Sequence, residues 1–107
     1  MNTSQSKQFD VIDHLIFSEG LRLQAVDIQP DLDLMTIYLN TKATLSHQLS
    51  SSKLLKGADR SKLMKYELIG GGTGIHWPLL DEDLSLKGFL EDELRKVVKR
   101  RNQPLAA

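Results

Sequence analysis

Between Tyr66 and Ser85 the chain reads YELIGGGTGIHWPLLDEDLS, and its residue types suggest phosphate binding, metal binding or acid–base catalysis. Glycine-rich loops hold phosphates because bare backbone amides can approach the anion at the start of a helix. A dinucleotide fingerprint counted from Gly70 needs its last glycine where Ile75 stands. A phosphate loop of the NTPase type needs Lys-Ser/Thr after its last glycine, where Ile75-His76 stand. The residues after the glycines read as a strand, so the helix N-terminus that would attract the anion is missing. Gly70, Gly71, Gly72 and Gly74 are therefore read as the tight turn of a hairpin, where glycine supplies positive φ.

His14, His47 and His76 show no mutual spacing suited to a shared metal. Asp81, Glu82 and Asp83 offer hard oxygen ligands, but three adjacent side chains cannot all converge, and no calcium-loop pattern surrounds them. His76 with Asp81 or Asp83 has the composition of an acid–base pair. No G-x-S-x-G elbow accompanies it, and with no cysteine in the chain thiol catalysis is excluded. The expectation is a non-enzymatic protein, with no catalytic, cofactor-binding or metal-binding residue assigned. His76, Asp81, Glu82 and Asp83 remain as a candidate partner-binding corner, with Trp77 as a core or core-edge anchor.

The other chemically distinctive stretch is RKVVKRR, where Arg95, Lys96, Lys99, Arg100 and Arg101 form a candidate nucleic-acid contact. No aromatic residue is interleaved with them, as stacking on single strands would need. On a helix they spread around the polar faces, so a solvated helix end favoured by the macrodipole is the competing reading.

These residues must be positioned by an α+β fold: a small antiparallel β-sheet with a long C-terminal helix and an N-terminal helix. Phe9, Ile12, Leu15 and Ile16 share one helical face, giving a helix over 8–17 that ends near Gly20; a strand is the competing reading. LRLQAVDI alternates and then slips phase at Val26 and Ile28, which permits a bulge. QPDLD is a turn, and Leu34–Leu39 with TLSHQLS reads as a hairpin that sets Leu45, His47 and Leu49 on one face. SSSKLLKGADRSKLMK supports only short helical turns, about Lys53–Leu55 and Asp59–Met64. Strands come next at Tyr66–Ile69 and Ile75–Trp77, the second broken by Pro78. Ser85 caps the last helix, along which Leu86, Leu90, Leu94 and Val97 recur at helical spacing, joined by Phe89 and Val98.

At 107 residues the chain makes one domain, 1–107, with 1–7 and 102–107 read as disordered ends. Fourteen basic and fourteen acidic residues cancel, so no global field steers the protein toward nucleic acid. No apolar run approaches the roughly 18 residues a membrane span requires, and the first residues lack a signal-peptide pattern. The expected location is cytoplasmic, with no membrane partner.

YELIGGGTGIHWPLLDEDLSLKGFL resembles the C-terminal signature of the bacterial domain-of-unknown-function family 2442: aromatic-Glu-Leu, a glycine turn, Ile-x-Trp-Pro, then Leu-Asp-Glu-Asp-hydroxyl and a leucine-rich helix start. MTIYLNTKATLSHQL resembles the hairpin that precedes it. The likeness spans Val26 to Leu90 and is specific over Tyr66–Leu90. It departs from the family pattern at Asn40-Thr41-Lys42 (commonly Asp-Gly-Arg), at His47-Gln48-Leu49 (commonly Val-Pro-Leu) and at Tyr66 (often Trp). The resemblance implies a compact α+β domain with Ile75 and Trp77 facing the core, and acids leading into the helix cap. Its members are small bacterial proteins, mostly without assigned activity; some are regarded as antitoxin-like partners of small toxins, and others are fused to DNA-binding domains. The resulting expectation is a protein-interaction domain with a protein partner, a small toxin being one candidate. Nucleic acid is the alternative partner, a small ligand-binding or enzymatic role at the His76 corner is the second alternative, and homodimerisation is compatible with so small a sheet.

Overall fold

The computed structural model describes residues 9–101, with side chains to Lys99. The expected disordered ends, 1–7 and 102–107, lie outside the described residues. The chain builds two three-stranded antiparallel meanders where the sequence suggested a single sheet. The first comprises β1 (Leu23–Gln29), β2 (Leu34–Leu39) and β3 (Thr44–Gln48). The second comprises β4 (Glu67–Ile69), β5 (Gly74–Trp77) and β6 (Glu82–Ser85). α1 (Val11–Asp13) precedes the first sheet, α2 (Arg60–Leu63) lies between the two, and α3 (Leu86–Arg101) follows the second. No helix among the described residues is long and apolar enough to cross a membrane.

Helix wins over strand at the N-terminus because Asp10 and Asp13 form a reciprocal capping box, each carboxylate accepting the other's backbone N–H. The turn then widens to a π-helix over His14–Ser18. Its loosened carbonyl end is held by Arg22, whose guanidinium donates to Ile16 O and Leu21 O. Ile12 and Ile16 are buried, whereas Phe9, Val11 and Phe17 face solvent.

In the first sheet the period-two pattern works as the sequence suggests. Met35, Ile37 and Leu39 point inward from β2, opposite Ile28 on one side and His47 and Leu45 on the other. The phase slip in β1 is a register shift between Leu23 and Ala25, which lets Leu23 and Ile28 both reach the core. Asn40, at the hairpin tip, accepts from Arg22 N and donates to Gly20 O, tying the tip to the end of the N-terminal helix. The polar stretch after β3 makes a 3-10 turn (Leu49–Ser51), further turns through Gly57, and then α2, and it buries only Leu49, Ser52, Leu55 and Leu63.

One apolar cluster joins the two sheets, holding Ile75, Trp77, Leu86 and Phe89 in the same core as Ile28, Met35 and Ile37. Each such side chain contributes roughly 1.5–3 kcal/mol when fully buried. Trp77 has no exposed surface, and its indole N–H donates to Leu63 O at 3.0 Å. A buried indole must find an acceptor, and α2 ends where it can supply one. Ser85 caps α3 as expected, its Oγ accepting from Gly88 N at 3.0 Å.

Candidate functional site

Each singled-out stretch has a definite place. In the glycine turn, Gly70, Gly71 and Gly72 all have positive φ. The amides of Gly72 and Thr73 both donate to Ile69 O, so they are consumed inside the turn and cannot cradle an anion. The turn's outward carbonyls act as a joint: Gly72 O accepts from Leu23 N at 2.8 Å, and Thr73 O accepts from Leu86 N at 2.8 Å. Through them one loop fastens the second sheet to the first residue of β1 and to the first turn of α3.

The acids at 81–83 do not simply lead into the helix cap. Glu82 and Asp83 belong to β6, so their side chains leave opposite faces of the sheet. His76 sits between Glu67 on β4 and Asp83 on β6 in the cross-strand register. Its Nδ1 lies 2.5 Å from Asp83 Oδ1, and the hydrogen bond to that carboxylate raises its pKa. Desolvation works against this, and the charges of Asp83, Glu67 and Asp81 add to the rise. Asp81 occupies the preceding turn with φ of 51°, while Glu82 turns back to accept from Asp83 N. The structure thus brings together His76 and Asp83, adds Glu67, which the sequence did not single out, and leaves Glu82 apart. This is an imidazole pinned by a carboxylate on a part-exposed sheet face. Among the described residues its one hydrogen-bond partner is Asp83, and no set of three or more His, Asp or Glu could hold a metal ion.

The basic residues of α3 also divide. Lys96 Nζ donates to Ser46 O at 2.6 Å and lies 3.1 Å from Glu93 Oε1, which in turn accepts from Ser46 N at 3.2 Å. Ser46 is on β3, the edge strand of the first sheet, and an edge presents unpaired backbone groups. Glu93 and Lys96 satisfy one donor and one acceptor of that edge. Arg95 pairs with Asp92 at 2.6 Å. Lys99 is exposed and makes no ion pair among the described residues. Arg100 and Arg101 belong to α3, and their side chains lie outside the described ones.

His47, unremarked in sequence except as an inward residue, is buried against this helix. Its Nε2 lies 3.1 Å from Ser52 Oγ, and its ring meets Phe89 edge-on at 5.1 Å between centroids. Burial lowers its pKa, with Asp92 at 3.8 Å partly opposing.

Beyond Glu93 the helix loses its apolar cover. Leu94, Val97 and Val98, expected to continue the core stripe, are 55%, 61% and 54% exposed. Together with the half-buried Leu90 they fall at i, i+4, i+7 and i+8, on one side of α3. Leu94, Arg95, Val98 and Lys99 line a shallow hollow of about 430 Å³. The sequence carried the signal for this stripe in its periodicity. It carried no sign that the sheets stop short of it.

A family model described as protein of unknown function (DUF2442) matches residues 23–94, more than half of the chain. A crystal structure of a protein of unknown function from Rhodospirillum rubrum is similar at 27% identity and a TM-score of 0.61, over 68% of this chain and 88% of that one. The solution structure of an uncharacterized protein from Chromobacterium violaceum is similar at 21% identity and a TM-score of 0.64, over 100% of both chains; at that identity it speaks for the fold alone. No curated protein matches the chain in sequence.

Proposed function

The chain belongs to the DUF2442 family, and from that premise we propose that it is a non-enzymatic protein-interaction domain, an adaptor or antitoxin-like half of a protein pair, acting in the cytoplasm. The observation that carries this reading is the distal half of α3. There three large apolar side chains, Leu94, Val97 and Val98, each expose more than half their surface beside the exposed cations Arg95 and Lys99. An isolated exposed leucine is ordinary. A contiguous stripe on a projecting helix face, with charged residues beside it, is the pattern of a surface that a protein partner covers.

The two other candidates fit this reading as supports. Lys96 and Arg95 already answer to Ser46 and Asp92, which reduces the free charge available to a phosphate backbone. His76 stands on a part-exposed sheet face beside Asp83, and in the described hydrogen bonds no Ser, Thr or Tyr hydroxyl meets it as a nucleophile would.

The test is affinity capture from host lysate, with and without nuclease, using the wild-type chain and Leu94→Glu. A stoichiometric protein that survives nuclease and is lost with Leu94→Glu supports the reading. Material that disappears with nuclease moves the function to nucleic acid. Capture unaffected by Leu94→Glu moves the contact off α3.

A further inference from the structure

The zero net charge of the chain hides a segregation. From Lys53 to Lys65 the sequence KLLKGADRSKLMK holds five cations, Lys53, Lys56, Arg60, Lys62 and Lys65, against the single acid Asp59. Five less one leaves this segment at +4, and the rest of the neutral chain carries an equal excess of acid. All five cations are exposed, and none makes an ion pair or a side-chain hydrogen bond among the described residues. On α3, by contrast, Lys87 holds Asp10 and Asp13, Arg95 holds Asp92, and Lys96 holds Glu93.

The free cations are firmly mounted. Leu55 and Leu63 are buried and fasten the segment to the core, so the charged side chains face away from it. Ser52 O accepts from Leu55 N and Lys56 N at 3.0 and 2.9 Å, closing a turn that sets Lys53 and Lys56, three apart, on one side. The Ser52 hydroxyl is itself fixed by His47 Nε2 at 3.1 Å. Gly57, with φ of 72°, redirects the chain toward α2, where the Trp77 indole holds Leu63 O. Lys62 and Lys65 are again three apart, and Lys65 N donates to Lys62 O at 3.3 Å.

We infer that this platform binds the phosphate backbone of a duplex nucleic acid without regard to base sequence. Phosphate attraction needs clustered positive charge that no carboxylate has already answered, and the segment from Lys53 to Lys65 supplies it. The segment has no aromatic residue on which unpaired bases could stack, which favours a duplex over a single strand. It also has no Asn or Gln, and only one Arg, with which to read base edges. Leu54 and Met64 are exposed, but they stand on separate short turns and not on the amphipathic helix that a lipid surface takes up. The segment shares no residue with the apolar stripe of α3, so the contact is a second surface beside the one proposed above. Four to five phosphates neutralised this way give a dissociation constant of roughly 1–100 µM near physiological salt, and log affinity falls with log salt at a slope of about four.

The experiment is fluorescence anisotropy of labelled duplexes of about 20 base pairs, one of DNA and one of RNA, titrated with the purified full chain between about 50 and 200 mM salt, a range over which phosphate contacts weaken steeply. Wild type binds with the slope of about four, and the tighter of the two duplexes names the source of the phosphate. The double variants Lys53→Gln with Lys56→Gln, and Lys62→Gln with Lys65→Gln, keep the circular dichroism spectrum. Each lowers the slope by about two and weakens binding about tenfold or more. The triple variant Lys99→Gln, Arg100→Gln, Arg101→Gln binds as wild type does, and so does Leu94→Glu, which separates this contact from the interaction reading. No binding at 50 mM salt overturns the inference, and so does binding with a flat salt dependence. Loss with the triple variant but not with the double variants moves the contact to α3 and overturns it too. Phosphatidylglycerol vesicles that bind more tightly than either duplex make the surface a lipid contact, and the inference then falls while Leu94-dependent protein capture stands or fails on its own.

Discussion

Gly72→Ala separates a structural joint from a ligand loop. An added Cβ at Gly72 would stand 2.5 Å from Leu23 O and 3.2 Å from Arg22 Cβ, on a residue whose φ is +104°. The oxygen belongs to the backbone, so it cannot rotate away. Relief requires the start of β1 to move, and with it the 2.8 Å hydrogen bond from Leu23 N to Gly72 O. A left-handed conformation alone costs a non-glycine residue about 1–2 kcal/mol. Losing the hydrogen bond between the sheets adds about 1 kcal/mol, and residual strain brings the total to about 2–4 kcal/mol. Gly71→Ala supplies the control, because φ is +66° there and nothing lies within 4 Å of the added carbon. It should cost the conformational part only. At about 4 °C per kcal/mol for a domain of this size, Gly72→Ala lowers Tm by about 8–16 °C and Gly71→Ala by about 4–8 °C. Thermal or urea unfolding followed through Trp77, the single and fully buried tryptophan, reads both. Equal losses at the two positions would refute the idea that this turn clamps the sheets together.

Other perturbations probe neighbouring parts of the fold. Trp77→Phe leaves Leu63 O buried without its 3.0 Å donor and thins the core, so urea denaturation followed by circular dichroism should show a loss of about 2–4 kcal/mol; a loss below about 1 kcal/mol would mean that the indole is not a fixed strut. NMR titration should place His76 above the ordinary histidine range and His47 below it, and Asp83→Asn should bring His76 down while leaving His47 alone. The signs oppose. His76 lends stability that is complete below its unfolded pKa and fades as pH rises through its raised folded value, whereas His47 makes the fold weaken as pH falls below its unfolded pKa. Lys87→Met removes the ammonium that Asp10 and Asp13 share at 3.4 and 3.0 Å, so amide exchange should quicken over Val11–Ser18 and stay unchanged in β2; uniform quickening would contradict a local tether.

Much of this architecture was written locally. LMTIYL alternates, and Met35, Ile37 and Leu39 are buried; Ser85 is a capping type in a capping place; Ile75 and Trp77 pack inward as the Ile-x-Trp-Pro pattern implied. What escaped depends on distant partners. β6 has one apolar residue, Leu84, among acids and a serine, so its strand character comes from the register with β5 and not from its own pattern. Lys96 and Glu93 look like surface charges until Ser46, some fifty positions away in sequence, arrives beside them. His47 reads as an inward residue, yet only the packed helix shows Phe89 and Asp92 against it. Most tellingly, helical periodicity records that Leu94, Val97 and Val98 share a face. It cannot record whether this chain or another one covers it.

Site-specific photocrosslinking in living host cells goes straight to that surface. A photoreactive side chain replacing Leu94 or Val97 should yield discrete protein adducts, of this chain with itself or with a second protein. The same group replacing Lys56, exposed in the turns before α2, should yield none. Adducts at 94 and 97 but not at 56 are the expected result. No adduct at 94 or 97, or equal labelling at 56, would mean that the far end of α3 is bare in the cell and that the function lies elsewhere on the domain.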